Sequence, residues 1–286
     1  MTTGGRRLAS AVRRVPHAAA LLVLVAFSLV PFAWMLTASL EPPIALFSGT
    51  PHLLPNPVTF GNYTGLIHPN EQGVFFPRYF VNSLIVSFST VALALLVAVP
   101  AAYAFSRFAF AGRNPLMYMI LLQSIFPGVN FLVPLFILMG VVGLRDTYGA
   151  LIIGYLTFSL PLNIWLLRGF FDGIPPEMEV AARLDGASVG RAFVEVALPA
   201  ALPGLVATAI YTFILAWDEY LYALTMISSS DMRTLPLGLF SYFSEGVPNW
   251  GGLTATAIGM SIPVVIVFLV LQRYFVSALT KGALKY

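Results

Sequence analysis

Long stretches without a charged side chain are the feature that most constrains how this chain folds. A helix that crosses a bilayer needs about 20 apolar residues, and seven charge-free stretches of at least that length occur in the 286 residues. Each lies between two charged residues: Arg14 and Glu41, Glu41 and Glu71, Arg78 and Arg107, Arg113 and Arg145, Asp146 and Arg168, Glu195 and Asp218, and Glu245 and Arg273. With 58% hydrophobic and only 9% charged residues, the chain does not have the composition of a water-soluble domain.

The second stretch differs from the other six. From Pro42 to Asn70 it contains five further prolines, together with Asn56, Asn62, His52 and His68. A backbone so interrupted could not stay hydrogen-bonded in lipid, so this stretch is predicted to be an extramembrane loop. The other six are rich in Leu, Val, Ala, Ile and Phe, as helices in lipid are. We therefore predict an all-α, polytopic bundle of six transmembrane helices.

The basic residues predict the orientation of this bundle, because Lys and Arg near span ends are retained on the cytoplasmic side. If both termini are cytoplasmic, twelve basic residues lie on that side: Arg6, Arg7, Arg13, Arg14, Arg107, Arg113, Arg168, Arg183, Arg191, Arg273, Lys281 and Lys285. Only Arg78, Arg145 and Arg233 lie on the other side. The predicted layout is a cytoplasmic tail at residues 1–17, a six-helix domain at 18–280 and a cytoplasmic tail at 281–286.

The first apolar stretch has an alternative interpretation as a cleaved signal peptide, because basic residues precede it. The uncharged run continues to Leu40, however, and offers no clear small-x-small cleavage site at a typical distance. Removing it would also leave five spans. We therefore favour a first transmembrane helix.

Several kinds of chemistry lack the residues that they need. Cysteine is absent and the three histidines are scattered, so we expect no disulfide framework and no metal site. The only lysines are Lys281 and Lys285, which excludes a phosphate-binding loop, and no cofactor is expected on this chain. The basic residues form no long run, so nucleic acid is not an expected partner. Transport against a gradient would need energy from another subunit.

The segment at residues 168–199 is the most unusual part of the chain. Pro176 is suited to open a helix with acidic residues in its first turn, and Gly186 is suited to end it. Glu179 and Arg183 are four residues apart and can pair across a turn. From the residues alone, two interpretations stay open: a helix that docks another protein, and an amphipathic helix lying on the membrane surface.

The same segment resembles the EAA loop of permease subunits in binding-protein-dependent ABC importers. Leu198-Pro199 follows Gly186 at the spacing of that motif, while Val180 stands where the motif usually has Glu. The resemblance implies that this loop couples the chain to an ATPase, and that ATP is bound by the partner. The coupling residues that it implies are Glu179, Ala181, Ala182, Arg183, Asp185, Gly186 and Pro199.

Further segments resemble the carbohydrate branch of these importers, specifically the maltose-type second permease. They are Phe80–Leu84, Tyr103–Arg107 with Gly112-Arg113, Leu144–Tyr148, Trp165–Phe171, Ala216–Tyr220, Gln272–Phe275 and Leu279–Ala283. The resemblance implies a multi-pass permease of the bacterial cell membrane. It also implies four partner subunits: a second permease, two ATP-binding subunits and an extracytoplasmic sugar-binding protein.

Some polar residues within the spans are candidates for the solute path, because polar and ionisable groups in lipid are costly and often functional. We expect Glu219 to bond sugar hydroxyls and Trp217 to offer a stacking face, with Asn82 and Asn163 as further candidates. The alternative is that Glu219 lies in the solvated interface, Trp217 in the aromatic belt, and the two amides tie helices together. Two interpretations remain for Arg168 and Arg191. They bind anionic lipid or an ATPase, or they serve only to anchor the topology.

Two other functions stay open at this point. One is a permease of the same superfamily that carries a solute other than a sugar. The other is a membrane-embedded enzyme with its site at Asp218-Glu219, which no neighbouring base or metal ligand supports. No catalytic residue is therefore predicted.

Overall fold

A computed structural model describes residues 3–42, 54–68, 75–243 and 249–283, with side chains described at 19–42, 54–68, 75–243 and 249–272. Every regular element in these ranges is a helix, as the apolar stretches predict. The α-helices are α1 (Thr3–Ser39), α2 (Gly61–Ile67), α3 (Phe76–Arg107), α4 (Arg113–Gln123), α5 (Leu132–Val141), α6 (Tyr148–Asp172), α7 (Glu177–Leu184), α8 (Val189–Ala192), α9 (Leu198–Ala200), α10 (Leu202–Trp217), α11 (Leu221–Met226), α12 (Leu235–Phe240) and α13 (Trp250–Ala283).

The described helices provide four to six membrane spans by length and composition. Four single helices qualify, over Ala19–Ser39, Phe76–Arg107, Tyr148–Asp172 and Trp250–Gln272. Two bent pairs bring the number to six if each pair counts as one span. The loop predicted between the first two spans holds, in its described part, the seven-residue helix α2, which is too short to cross a bilayer. Both predicted tails are partly helical, since α1 begins at Thr3 and α13 ends at Ala283.

The third predicted span is not one straight helix. It consists of α4, a short 3₁₀ helix at Gly128–Phe131 and α5, and its two halves meet at 95°. Pro127 lies at this break, where it has no N–H to give and restricts the backbone of the residue before it. Pro134 lies in the first turn of α5, where a proline is tolerated, and Pro100 lies inside the continuous helix α3.

The fifth predicted span is also bent, by 71° between the segment Val189–Ala200 and α10. The bend lies at Ala201, between Pro199 and Pro203. The described chain therefore enters this span through a series of short helical segments, which leaves residues 168–199 at one end of the span.

Helices α3, α6 and α10 form the core of the unit Phe75–Phe240 and Met260–Tyr286. Helices α3 and α6 run in the same direction. The Tyr148 hydroxyl donates to Asn82 Oδ1 over 2.7 Å near their starts, and the rings of Tyr103 and Phe171 lie 5.5 Å apart near their ends. These two contacts lie at opposite ends of the unit.

Small residues let these helices approach closely, as is common in membrane bundles. Ala94, Ala98 and Ala102 recur every four residues along one face of α3, and all three are fully buried. Helix α10 runs opposite to α6, and at Gly204 a Cβ would lie 2.4 Å from the ring of Phe170. A larger residue at position 204 would therefore push the two helices apart.

The other unit comprises Met1–Val74 and Ser241–Gly259. Within it, α2 is anchored to the end of α1. Asn62 Nδ2 donates to the carbonyls of Ser39 and Glu41, each over 2.8 Å, and the hydroxyls of Ser39 and Tyr63 lie 2.7 Å apart. The large apolar side chains of α1 from Leu21 to Leu36 are exposed, as expected for a helix that lipid surrounds.

Candidate functional site

The predicted coupling segment forms a short helix with well-defined ends. Pro176 occupies the N-cap position of α7, Glu177 and Glu179 lie in the first turn and Arg183 in the last, where each charge suits the helix dipole. Gly186 has a φ of +93°, a left-handed conformation that favours glycine and ends the helix. The predicted helix start and stop are confirmed.

The outer face of α7 carries exposed apolar side chains beside the exposed charges of Glu177 and Arg183. Met178, Val180 and Leu184 are respectively 47%, 51% and 83% exposed. Val180 and Leu184 border an open cavity of about 520 Å³, together with Arg183, Ala187, Ser188 and Val189. An exposed apolar surface on a helix at the end of a bundle is typical of a docking surface.

Glu179 faces the opposite way and is 7% exposed. Its Oε1 accepts from Arg107 Nε over 2.7 Å, and its Oε2 accepts from the Tyr103 hydroxyl over 2.5 Å. The pairing of Glu179 with Arg183 that the spacing allows is not the one that the structure shows. Two donors on α3 bind the carboxylate instead, and Arg183 stays on the exposed side.

The contacts of Arg107 continue from α3 to the end of α6. Arg107 Nη2 donates to the Ile174 carbonyl and Nη1 to Ser106 Oγ, each over 3.0 Å. Ser106 in turn donates to Asp172 over 2.6 Å. The ends of α3 and α6 and the start of α7 thus share one polar network.

The remaining predicted coupling residues lie on or beside the exposed side of this segment. Ala181 and Asp185 are exposed and Ala182 is half-buried. Apart from Gly186 and its two chain neighbours, no described residue has an atom within 4 Å of the position where a Gly186 Cβ would be. Pro199 is exposed, just before the bend that precedes α10.

The four residues predicted to line the solute path all form hydrogen bonds within the chain. Asn82 is 3% exposed, and its amide donates to the carbonyls of Asp231 and Arg233 while it accepts from Tyr148. Its side-chain hydrogen bonds are thus made within the chain. Asn163 is fully buried, and its amide nitrogen donates to Thr212 Oγ1 over 2.7 Å. Both amides tie helices or loops together in this structure.

The indole of Trp217 is fully buried. Its N–H donates to the Met260 carbonyl over 3.0 Å, one ring face stacks on Phe213, and Phe80 packs edge-on. No face of the ring is open to a sugar in this conformation.

Glu219 binds the first turn of α11. Its two oxygens accept the backbone N–H groups of Tyr222 and Ala223, over 2.9 and 3.3 Å. Asp218 beside it is exposed. Among the described residues, no group of acidic or histidine side chains is arranged to hold a metal ion. A place for Glu219 in the solute path stays a prediction.

Neither Tyr103 nor Arg107 is among the predicted coupling residues, although both lie in a segment that carries the resemblance. Their spacing of four residues places both on one face of α3 at its end. A charged residue at a span end has an obvious topological explanation, which concealed its bond to Glu179.

Comparisons with known proteins find related transport proteins. The sequence profile of the family described as "Binding-protein-dependent transport system inner membrane component" matches residues 90–281. The trehalose transport system permease protein SugB of Mycobacterium tuberculosis is 37% identical over 92% of this chain and 94% of its own length. The trehalose/maltose transport system permease protein MalG of Thermococcus litoralis is 34% identical over the same shares of the two chains.

The fold matches solved transporter structures as well. A chain from a bacterial ABC transporter involved in the import of the acidic polysaccharide alginate superposes with a TM-score of 0.77, covering 96% of this chain and 99% of that one at 24% identity. Another comes from the alginate transporter in complex with an alginate pentasaccharide-bound periplasmic protein. It superposes with a TM-score of 0.68 at 14% identity, covering 93% of this chain and 96% of that one.

Proposed function

We propose that this chain, which belongs to the family of binding-protein-dependent transport system inner membrane components, is a permease subunit of an ATP-driven sugar importer. One observation carries the sugar assignment. Relatives that align over at least 89% of the chain are named for trehalose, maltose and galactooligosaccharide transport. Because the members of this family are transport components, the alternative function of a membrane-embedded enzyme is excluded.

The assembly that we propose contains a second permease, two ATP-binding subunits and an extracytoplasmic binding protein. A separate energy source is needed because the chain has no phosphate-binding loop. One structural neighbour is a transporter in complex with a periplasmic protein that carries its saccharide, which supports the binding protein as a partner. The exposed face of α7, with Ala181, Ala182, Arg183, Asp185 and Gly186, is the surface that we assign to the ATP-binding subunit.

In the proposed mechanism, ATP binding closes the two ATP-binding subunits and displaces α7. A ligand shifts a conformational equilibrium only through its different affinities for the two states. Closure must therefore favour one packing of the spans over another. Pro199 and the bend at Ala201 lie between the coupling segment and α10, where a rigid-body movement of α7 would reach the spans.

Transport by a reconstituted complex tests this function. The chain is purified with its second permease and ATP-binding subunits, inserted into proteoliposomes and supplied with its binding protein and radiolabelled trehalose, maltose or galactooligosaccharide. We expect uptake of at least one sugar that requires both ATP hydrolysis and the binding protein. A non-hydrolysable ATP analogue is the control.

Two results would contradict the proposal separately. Uptake that does not need ATP would exclude an ABC importer. ATP-dependent uptake of a non-sugar solute that the binding protein selects over all sugars would retain the importer and exclude the sugar.

A further inference from the structure

The ion pair between Arg107 and Glu179 joins two elements that are far apart in sequence. Arg107 ends α3, which crosses the membrane, and Glu179 lies on α7, which the proposed function places against the ATP-binding subunit. The two side chains are 14% and 9% exposed. A surface ion pair contributes little to stability because water screens it. Breaking a buried pair destabilises the fold more, because one charge is left without a partner.

Both carboxylate oxygens of Glu179 are bound by side chains of the same helix. Arg107 binds one and Tyr103 the other, over 2.7 and 2.5 Å. The carboxylate therefore has two fixed points on α3 and cannot pivot about a single bond. The Tyr103 ring is itself held, with the rings of Phe193 and Phe171 at 4.5 and 5.5 Å.

Arg107 also holds the turn that leads from α6 into α7. Its Nη2 donates to the Ile174 carbonyl in that turn, while its Nε binds Glu179 on the helix that follows. The guanidinium is planar and presents its donors in a fixed fork, so the two contacts are set relative to each other. One side chain of α3 thus fixes both the turn before α7 and α7 itself.

We propose that Arg107 is a positioning residue for coupling: with Tyr103 it holds Glu179 so that α7 and the end of α3 move as one body. The inference rests on the proposed function, because it takes α7 as the element that the ATP-binding subunit displaces. Arg107 touches neither the solute nor the nucleotide in this scheme. It transmits the displacement of α7 to a membrane-spanning helix.

The test compares Arg107→Gln, Glu179→Gln and the double variant in reconstituted transporter, with amounts normalised to assembled complex. Each single change removes the same charge pair and leaves the other group of the pair buried without its counter-charge, so we expect the solute transported per ATP hydrolysed to fall roughly tenfold in each. The double variant should be no worse than either single one, because the link is already lost. Copurification of the ATP-binding subunit should be unchanged.

Arg78→Gln is the matched control. Arg78 forms an ion pair with Asp231 at the opposite end of the unit, on an exposed surface, with side chains 51% and 72% exposed. This change removes an arginine and an ion pair from the other end of α3, away from α7. We expect it to leave the solute transported per ATP unchanged.

A distance measurement follows the link itself, independently of transport. The chain has no cysteine, so spin labels can be placed at Glu177→Cys on α7 and Ile85→Cys on α3 alone. We expect a single narrow distance distribution in the otherwise unchanged chain and a broader one after Arg107→Gln. Arg107→Lys should give an intermediate width, because lysine retains the charge but lacks the fork that reaches Ile174.

The outcomes separate this inference from the proposed function. Wild-type solute transported per ATP and narrow distances in Arg107→Gln would overturn the positioning role while the importer stands. Effects of the two single changes that add in the double variant would also overturn it, since they would act through different links. If the unmodified complex shows no ATP-dependent uptake, the proposed function fails instead, and the distance distributions still report whether Arg107 holds α7.

Discussion

Asp146 is the non-glycine residue with a positive φ, +59°, in the described part of the chain. Its Oδ1 accepts the backbone N–H groups of Ser228 and Ser229, over 2.9 and 3.0 Å, and the Ser229 hydroxyl over 3.0 Å. The N–H groups of Ser229 and Ser228 hold the pKa of the Asp146 carboxyl below its usual range. One carboxylate thus joins the loop before α6 to the loop after α11.

We predict that Asp146→Asn lowers the free energy of unfolding by about 1 kcal/mol at neutral pH, since charge-assisted hydrogen bonds to a half-exposed group are lost. The pKa of this carboxyl is lower in the folded than in the unfolded chain, so its stabilisation is present above the unfolded pKa. It is lost as the pH falls through the lowered folded pKa. The stability difference between wild type and variant should therefore shrink below about pH 4.

Thermal unfolding in detergent at several pH values measures this difference. Asn tolerates the left-handed conformation, and Asp146→Gly removes the carboxyl while accepting that backbone, which separates the two contributions. A difference that stays constant between neutral and acid pH would contradict the role of the charge.

Glu219 is predicted to stabilise the first turn of α11. Glu219→Ala should lower the free energy of unfolding by about 1 kcal/mol, as loss of a helix cap does, and Glu219→Gln by less because one acceptor oxygen remains. Asp218→Asn is the control, since Asp218 is exposed. Solute affinity measured on the same variants decides its place in transport. A changed affinity with unchanged stability would place Glu219 in the solute path.

We expect α7 to lie in a groove on the ATP-binding subunit, and we predict that Val180 faces an apolar part of that groove. Glu179 cannot replace the acid that the motif usually has at position 180, because Arg107 and Tyr103 bind it on the inner face. Val180→Glu should weaken association with the ATP-binding subunit by about tenfold, since a carboxylate would be desolvated without a partner. Val180→Leu keeps the surface apolar and should bind normally. Tighter association of Val180→Glu in a pull-down titration would indicate a cationic groove instead.

At the scale of elements, the ends of α7 were predictable and its inner contacts were not. Pro176 and Gly186 act through their own backbone restrictions, which the sequence displays directly. The partner of Glu179 lies 72 residues away along the chain. Arg183 lies at a helical spacing that would also allow an ion pair with Glu179. Only the packing of α3 against α7 decides between Arg183 and Arg107 as the partner.

The spans show the same division between local and tertiary signals. Pro127 predicts an interruption of the third span, but the angle of 95° depends on how α4 and α5 each pack against their neighbours. From sequence, Trp217 near a span end fits either a stacking face for a sugar or the aromatic belt. The structure buries it because Phe213 and Phe80 cover the ring.

Gly186 offers a sharp test of α7 as the coupling element. Gly186→Trp should uncouple ATP hydrolysis from transport, because the ring would fill the space that the ATP-binding subunit needs beside Ala182. A Cβ at position 186 would meet no described residue other than its two chain neighbours, and we expect the clash of the larger ring to come from the partner. Gly186→Ala is the control, since alanine meets the same backbone strain, about 1 kcal/mol, without the bulk. Normal transport and normal copurification in Gly186→Trp would indicate a helix that rests only on the membrane surface.

At the scale of the molecule, the described unit Phe75–Phe240 and Met260–Tyr286 has two chemically different ends. One carries α7 and the network of Arg107, Glu179 and Asp172. The opposite end carries the ion pair of Arg78 with Asp231 and the loops that Asp146 joins. Spans that cross a membrane place the two ends of the unit on opposite sides of it. The excess of basic residues predicts that the end with α7 is cytoplasmic.

Cysteine labelling in intact cells tests that orientation, because the native chain has no cysteine to give background. The loop after the first span, which includes Ser48 outside the described residues, is predicted to be external, and the N-terminal tail is predicted to be cytoplasmic. We expect Ser48→Cys to react with a membrane-impermeant maleimide and Ser10→Cys to react only after permeabilisation. Twelve basic residues lie on the predicted cytoplasmic side and three on the other, so an inverted topology would place the larger group outside, against the retention of Lys and Arg. Protection of Ser48→Cys together with labelling of Ser10→Cys in intact cells would reverse the topology, and with it the side of the membrane on which α7 meets its partner.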